Sequence, residues 1–269
     1  MSRIIAIGDV HGCSNTFRKM VLEEINVQKS DVLYCLGDYI DRGPDSKGVI
    51  DFIMGLRAEG YTLHTLRGNH EQLMMDSLKR SEMFHAWMDN GGDKTLKSFG
   101  AVTYNDLASD YKAFFEQTEF YLTYERYIFV HAGLNFKSPD PFEDKDSMLW
   151  IRNFEIDSEI LGNRILIHGH TPIALESILA QVGRIVINLD GGCVYKQRVG
   201  LGNLIGLNVK EGNISEIMYA VGFSNLSYFS KCFRAEFGLT PKDYQQKMSR
   251  NTVDIENELR ERDSGGLKI

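Results

Sequence analysis

Five of the seven histidines, His11, His70, His131, His168 and His170, stand just beyond short apolar runs, in the company of Asp9, Asp38 and Asn69. A single histidine beside a strand is ordinarily structural, but five in the same local setting are not explained that way. Gathering carboxylates and imidazoles in one place is electrostatically costly unless cations neutralise them. Mixed nitrogen and oxygen donors suit manganese, iron or zinc rather than calcium. The chemistry these residue types offer is therefore that of a transition-metal centre. His64 and His85 belong to no such pattern and are expected to be structural.

The elements that must carry these groups share one grammar. Ile4–Ile7 precedes Gly8-Asp9-Val10-His11-Gly12, Val32–Leu36 precedes Gly37-Asp38, and Tyr61–Leu66 precedes Arg67-Gly68-Asn69-His70-Glu71. Tyr127–Val130 precedes His131-Ala132-Gly133, and Arg164–Ile167 precedes His168-Gly169-His170-Thr171. Continuous apolar runs of this length read as strands buried on both faces. Helical patterns over Asn15–Ile25 and Lys47–Glu59 separate the first three, which predicts right-handed parallel crossovers. In such sheets ligands gather at the carboxyl ends of the strands, where each run delivers its polar residues. Residues 72–125 read as helical and mixed, either a cap over the site or plain packing. Residues 185–209 resume strand character.

Composition sets outer limits. The 269 residues carry a formal net charge of −7, which argues against a chain-wide footprint for nucleic acid. At 43% hydrophobic they can bury a sizeable core. The start of the sequence runs directly into Ile4–Ile7, and no apolar run approaches about 18 residues. Cys13, Cys35, Cys193 and Cys232 lack paired metal spacing and suit reduced, buried thiols. A soluble, cytoplasmic protein without a membrane partner is expected.

The five motifs, with Gly37-Asp38-Tyr39-Ile40-Asp41-Arg42-Gly43 as the second, resemble those of the bacterial phosphoprotein phosphatases, within the calcineurin-like metallophosphoesterases. The resemblance covers residues 1–209 and keeps the family's motif order; Trp87–Gly92 is similar to a segment of the small bacterial members. It implies an α+β or α/β fold, a sandwich of two packed mixed sheets flanked by helices with a small helical C-terminal appendage, and two divalent metal ions, with manganese first and iron or zinc as alternatives. Asp9 and His11 would hold the first ion, Asp38 would bridge, and Asn69, His131 and His170 would complete the second. His70 would not ligate but act as general acid, oriented by Asp41; Arg42 and Arg152 would grip phosphate oxygens. Such roles have physical reasons: paired ions clamp an in-line displacement, guanidinium forks match phosphate, and an imidazole can protonate a leaving oxygen near neutrality. His168 is open between an ion ligand and a structural residue, and Arg67 between a substrate contact and a turn cap. Asp190 sits where relatives carry Asp-Thr-Gly, and the change at Gly191 puts a catalytic role there in doubt.

The C-terminal stretch has a different texture. Residues 213–248, through Ala220-Val221-Gly222-Phe223-Ser224-Asn225-Leu226 and Phe237-Gly238-Leu239-Thr240-Pro241, resemble the second helix-turn-helix of AraC-type transcription regulators. Ser224 can cap a helix whose buried face is Leu226, Phe229, Phe233 and Phe237, and Asn225, Ser227, Tyr228, Lys231 and Arg234 would face outward. Only one of the two units of such domains is present, and its slight basic excess is too small for strong binding to DNA as a monomer. So short a unit also needs a surface to pack on. The division expected is a metallophosphatase domain over 1–210, a helix-turn-helix-like segment over 211–250 and a charged, flexible tail over 251–269. The segment is read as a docking or dimerising appendage, a DNA-binding unit or a relic of fusion.

Taken together, these features predict a metal-dependent phosphatase acting on phosphoproteins or small phosphoesters. A dinucleoside polyphosphate hydrolase, or a DNA-binding regulator that uses the C-terminal segment, are the alternatives.

Overall fold

The apolar runs become strands in two four-stranded sheets. In the computed structural model, which describes residues 2–181, 183–209 and Arg234, β1 (Ile4–Ile7), β2 (Val32–Cys35) and β3 (Thr62–Thr65) are parallel neighbours. Strands β4 (Tyr121–Tyr124) and β5 (Tyr127–Val130) form an antiparallel hairpin. To β5 are added the parallel strands β6 (Ile165–His168) and β7 (Val186–Asn188), and β8 (Gly206–Asn208) returns antiparallel to β1. The sheet orders are β3-β2-β1-β8 and β4-β5-β6-β7. The segments expected over 211–250 (Arg234 apart) and 251–269, and with them Cys232, lie outside the described residues.

Both faces of β1 are buried, which is why its sequence does not alternate. Ile5 and Ile7 pack toward helix residues such as Phe17, Met20, Val49 and Ile53, while Ile4 and Ala6 face Phe129, Ile167 and Ile187 of the other sheet. Tyr34 is stacked 4.2 Å from Phe129 on one side and 4.8 Å from His64 on the other, so His64 is structural. Val209 is buried with β8 at 3% exposure, so the folded body runs to the last residue before the undescribed stretch.

Helices α1 (Ser14–Lys19) and α2 (Ser46–Ala58) make the expected crossovers. Helix α3 (Asn69–Asp76) begins directly after β3. The stretch 72–125 then holds α4 (Ser81–Trp87), an irregular turn at Met88–Gly92, α5 (Asp93–Phe99) and α6 (Ser109–Glu116). It ends in β4, which the sequence reading leaves inside a mixed helical region. Tyr121 and Thr123 are exposed there while Leu122 and Tyr124 are partly covered, as in a half-buried edge strand. Helix α7 (Lys145–Trp150) follows β5. No helix among the described residues is long and apolar enough to cross a membrane.

Candidate metal centre

The loops after β1, β2, β3, β5 and β6 supply the centre. Ligand atoms of His11, Asp38 and His70 lie within 4.8 Å of one another, and so do those of Asp38, His131 and His170. Asp38 belongs to both sets. All these residues, with Asp9 and Asn69, are buried. Asp9 is in neither set; its Oδ2 accepts from the backbone N–H of His170 at 3.0 Å, while Oδ1 is buried with no partner.

The local backbone is bent to aim these groups. Among the described residues, seven other than glycine have positive φ, and five of them are His11, Asp38, Asp41, Arg42 and His170. Left-handed conformations cost such residues of the order of 1 kcal/mol each and persist where surroundings over-determine them. Glycines let the loops approach: a Cβ on Gly43 would lie 1.9 Å from the His11 carbonyl oxygen, and one on Gly68 would lie 2.1 Å from Asp38 Oδ1. Glu71, fully buried, accepts from the backbone N–H groups of Gly68, Asp38 and Tyr39, each at 2.9 Å.

Hydrogen bonds fix which ring nitrogens are available. His11 Nδ1 donates to the Ile40 carbonyl at 2.9 Å and His131 Nδ1 to the Leu36 carbonyl at 2.9 Å. Burial lowers the His11 pKa to about 3 and that of His170 to about 3, and lowers that of His131 as well. These rings are neutral, so Nε2 of His11 and His131 is a bare lone pair. His131 Nε2 nevertheless lies 3.0 Å from Asn69 Oδ1, a second acceptor. Two acceptors that face each other so closely call for a cation between them. At His11 Nε2 a positive group is already in place, since Arg42 Nη1 donates to it at 2.7 Å.

The carboxylates make the same demand. Burial, then the charges of Asp190 and Asp38, push the Asp9 carboxyl well above its ordinary range. Burial also works against the charge of Asp38, but the imidazoles of His131, His70 and His11 outweigh it and hold that carboxyl well below the usual range. Neutral imidazoles, crowded acids and the unpartnered Asp9 Oδ1 and His170 Nε2 fit a site for divalent cations.

His70 behaves differently from the other rings. Its Nδ1 meets Asp41 Oδ2 at 2.7 Å, and its Nε2 is buried without a partner. Burial alone would depress its pKa, yet the charge of Asp38 and the bond to Asp41 raise it above the ordinary imidazole value. Asp41 is held in turn by Trp87 Nε1 at 3.0 Å and Thr95 Oγ1 at 2.6 Å. The stretch beyond α3 therefore braces the site through α4 and α5. Arg152 is exposed, and its charge helps to depress His170.

Three residues that the sequence leaves open have definite surroundings. His168 turns its ring to Phe154, 5.5 Å away, and is absent from both ligand sets. Arg67 donates to the carbonyls of Glu116 and Thr118, capping the end of α6. Asp190 is buried beside Asp9, and burial raises its carboxyl to about 7. Sequence reasoning assigned no role to Glu71, Trp87 or Thr95. The motif Gly68-Asn69-His70-Glu71 contained the signal for the first, but nothing in the sequence marks Thr95.

Comparisons with known proteins agree with this geometry. The profile of the calcineurin-like phosphoesterases matches residues 2–195, and that of a helix-turn-helix domain matches residues 197–247. The second match begins inside the folded body, since Leu204, Ile205 and Leu207 are core residues. The serine/threonine-protein phosphatase 1 of Salmonella typhimurium is 40% identical over 87 residues, 32% of this chain and 38% of that protein. The asymmetrical bis(5'-nucleosyl)-tetraphosphatase PrpE of Geobacillus sp. is 25% identical over 72% of this chain and 86% of its own length. The chain thus spans less than two fifths of the Salmonella relative, and 23% of a symmetrical tetraphosphatase from Wigglesworthia glossinidia brevipalpis. A serine/threonine phosphatase structure from Saccharomyces cerevisiae shares the fold with a TM-score of 0.53 at 19% identity, covering 77% of this chain and 73% of that one. With its profile matched across most of the sequence and its strand-end ligands converging, the chain belongs to the calcineurin-like phosphoesterase family.

Proposed function

We propose that this chain hydrolyses phosphate esters at a two-metal centre, with residues 1–210 as the catalytic body and the helix-turn-helix-like segment as an appendage. The observation that carries this reading is the pair of ligand sets that share Asp38. Asp9 and His11 belong with the first ion and Asn69, His131 and His170 with the second. Manganese is the first choice for this donor set, with iron or zinc next. Two divalent ions, when bound, supply Lewis-acid charge to the phosphoryl group and make water acidic enough to attack near neutral pH.

The protein groups do the remaining work. Asp41 fixes the His70 ring with Nδ1 toward itself, which leaves Nε2 directed at the shared Asp38, 3.9 Å away. A raised pKa keeps a proton on that ring, to be handed to the departing ester oxygen. Arg42 already meets the ligand His11, so exchanging that contact for a phosphate oxygen takes a small side-chain movement. Arg152 would reach the same phosphate from the end of α7.

The test is phosphate release from a generic aryl phosphate with and without manganese. Chelation is expected to lower the rate at least 100-fold and manganese to restore it, with a higher melting temperature for the loaded protein. No turnover at saturating manganese would sink the reading. Phosphoserine peptide and dinucleoside tetraphosphate are the substrates to compare, because relatives of both names match.

A second reading rests on the helix-turn-helix match over residues 197–247. The segment begins where the catalytic core ends, without a spacer, and could present a recognition helix to DNA if two chains pair. A gel shift with random duplex DNA at about 50 and 200 mM salt tests it. Complexes that fade with salt support it, and none at the lower salt removes it.

A further inference from the structure

A cavity of about 310 Å³ is walled by Leu73, Leu149, Phe120 and Trp150. It lies at the low end of the sizes typical for small-molecule sites. Two elements tie it to the centre. Helix α3 supplies Asn69 and His70 to the ligand cluster from its first turn and Leu73 and Asp76 to the cavity from later ones. Helix α7 ends at Trp150, whose ring lies edge-on to His170 with centroids 6.3 Å apart. Trp150 is thus common to the surroundings of His170 and to the wall of the cavity.

The walls are built to receive a flat ring. Trp150 is 43% exposed, whereas the other tryptophan, Trp87, is fully buried. Leaving an indole half in water forgoes stabilisation that burial would give, and an exposed indole in a concavity is a ready stacking surface. Phe120 has two cations against its ring, Arg67 4.8 Å and Lys145 5.1 Å from its centroid. Asp76 and Asp146 add carboxylate acceptors to the lining; Asp76 Oδ1 already meets Lys79 at 2.6 Å and Gln72 Nε2 at 3.0 Å, which leaves Asp146 as the open acceptor.

We infer that this cavity is a subsite for a nucleobase bearing an exocyclic amino group, on a nucleotide substrate. The inference rests on the phosphoesterase reading above. A phosphoserine side chain is too small to fill the space. A phosphotyrosine ring would stack as well, but its only polar atom is the esterified oxygen, so it offers no N–H donor to the Asp146 carboxylate on the lining. Adenine, cytosine or guanine offers two apolar faces for Trp150 together with N–H donors along the edge.

The first experiment needs neither metal nor turnover. Adenosine is titrated into the full chain while indole fluorescence is followed, with Trp87 as the sole remaining indole in Trp150→Ala. Saturable quenching that is absent from the variant is expected; no quenching up to about 10 mM adenosine overturns the subsite. The second uses the manganese-loaded enzyme. Trp150→Ala should lower the ratio of kcat/KM for an adenine nucleotide to that for glycerol phosphate roughly ten-fold, mostly through KM, and Trp150→Phe should recover most of it. An unchanged ratio, or a selective loss on a phosphotyrosine peptide instead, overturns it. If quenching is seen but no phosphoester is ever hydrolysed, the phosphoesterase reading fails while the base-binding cavity stands.

Discussion

His70→Asn is expected to lower kcat by about 10²- to 10⁴-fold, the range that a positioned general acid contributes, while still binding two manganese ions per chain. Asparagine is close in size to the near half of the imidazole and can keep a bond to Asp41, so the brace from Trp87 and Thr95 survives. What it lacks is a proton to donate at the position of Nε2, the atom that is buried and without a partner in the native site. The loss should be smaller for esters with acidic alcohols, which leave without help. Asp41→Asn gives the complementary signature in pH. The bond and charge of Asp41 help to raise the His70 pKa, so removing them lowers it, and the alkaline limb of the rate profile, where the acid is lost, moves to lower pH. Bound manganese is read by elemental analysis and kcat by phosphate release. Full activity in His70→Asn would remove the acid assignment, and loss of one ion would make His70 a ligand, as its membership of the first ligand set allows.

The sequence makes the candidate ligands legible because each follows a buried strand within a few residues, and the parallel topology leaves those strand ends on one edge of their sheets. Local order alone does not reveal how the residues are aimed. The left-handed backbone at His11, Asp38 and His170 is only weakly signalled by residue type, since none of the three is glycine. Trp87 and Thr95 reach Asp41 across 46 and 54 residues, a separation at which spacing carries no information. Arg67 could be read either way until α6 supplied carbonyl groups for it to cap. Strand β4 is missed because its covered face is only two residues long, Leu122 and Tyr124, too short to set a period. The cavity beside Trp150 is legible only in three dimensions, because α3, α4 and α7 meet there from distant parts of the chain.

Glu71→Gln is expected to cost about 3 to 5 kcal/mol in folding stability, because two buried backbone donors lose their acceptor. One carboxylate oxygen serves Asp38 N and Gly68 N at 2.9 Å each, and the other serves Tyr39 N at 2.9 Å and Ile40 N at 3.4 Å. An amide has one acceptor oxygen, so its NH2 must face one of these donor pairs, with no water to relieve the clash. The loops after β2 and β3 are joined through this side chain, and the same helix also holds the far end of Asp38, whose Oδ1 accepts from His70 N at 3.1 Å. Asp38 is thus gripped at its backbone by Glu71 and at its carboxylate by the first turn of α3, against its left-handed conformation at φ 50°. Loosening the backbone grip lets that residue relax, and both ligand sets share it. Glu71→Gln should therefore melt roughly 10 °C lower and bind manganese more weakly at both sites together, whereas His131→Ala should weaken chiefly one. Denaturant melts and manganese titrations separate these outcomes. A Glu71→Gln protein within about 1 kcal/mol of the native stability, with unchanged metal affinity, would show that the motif's glutamate does not hold the two loops in register.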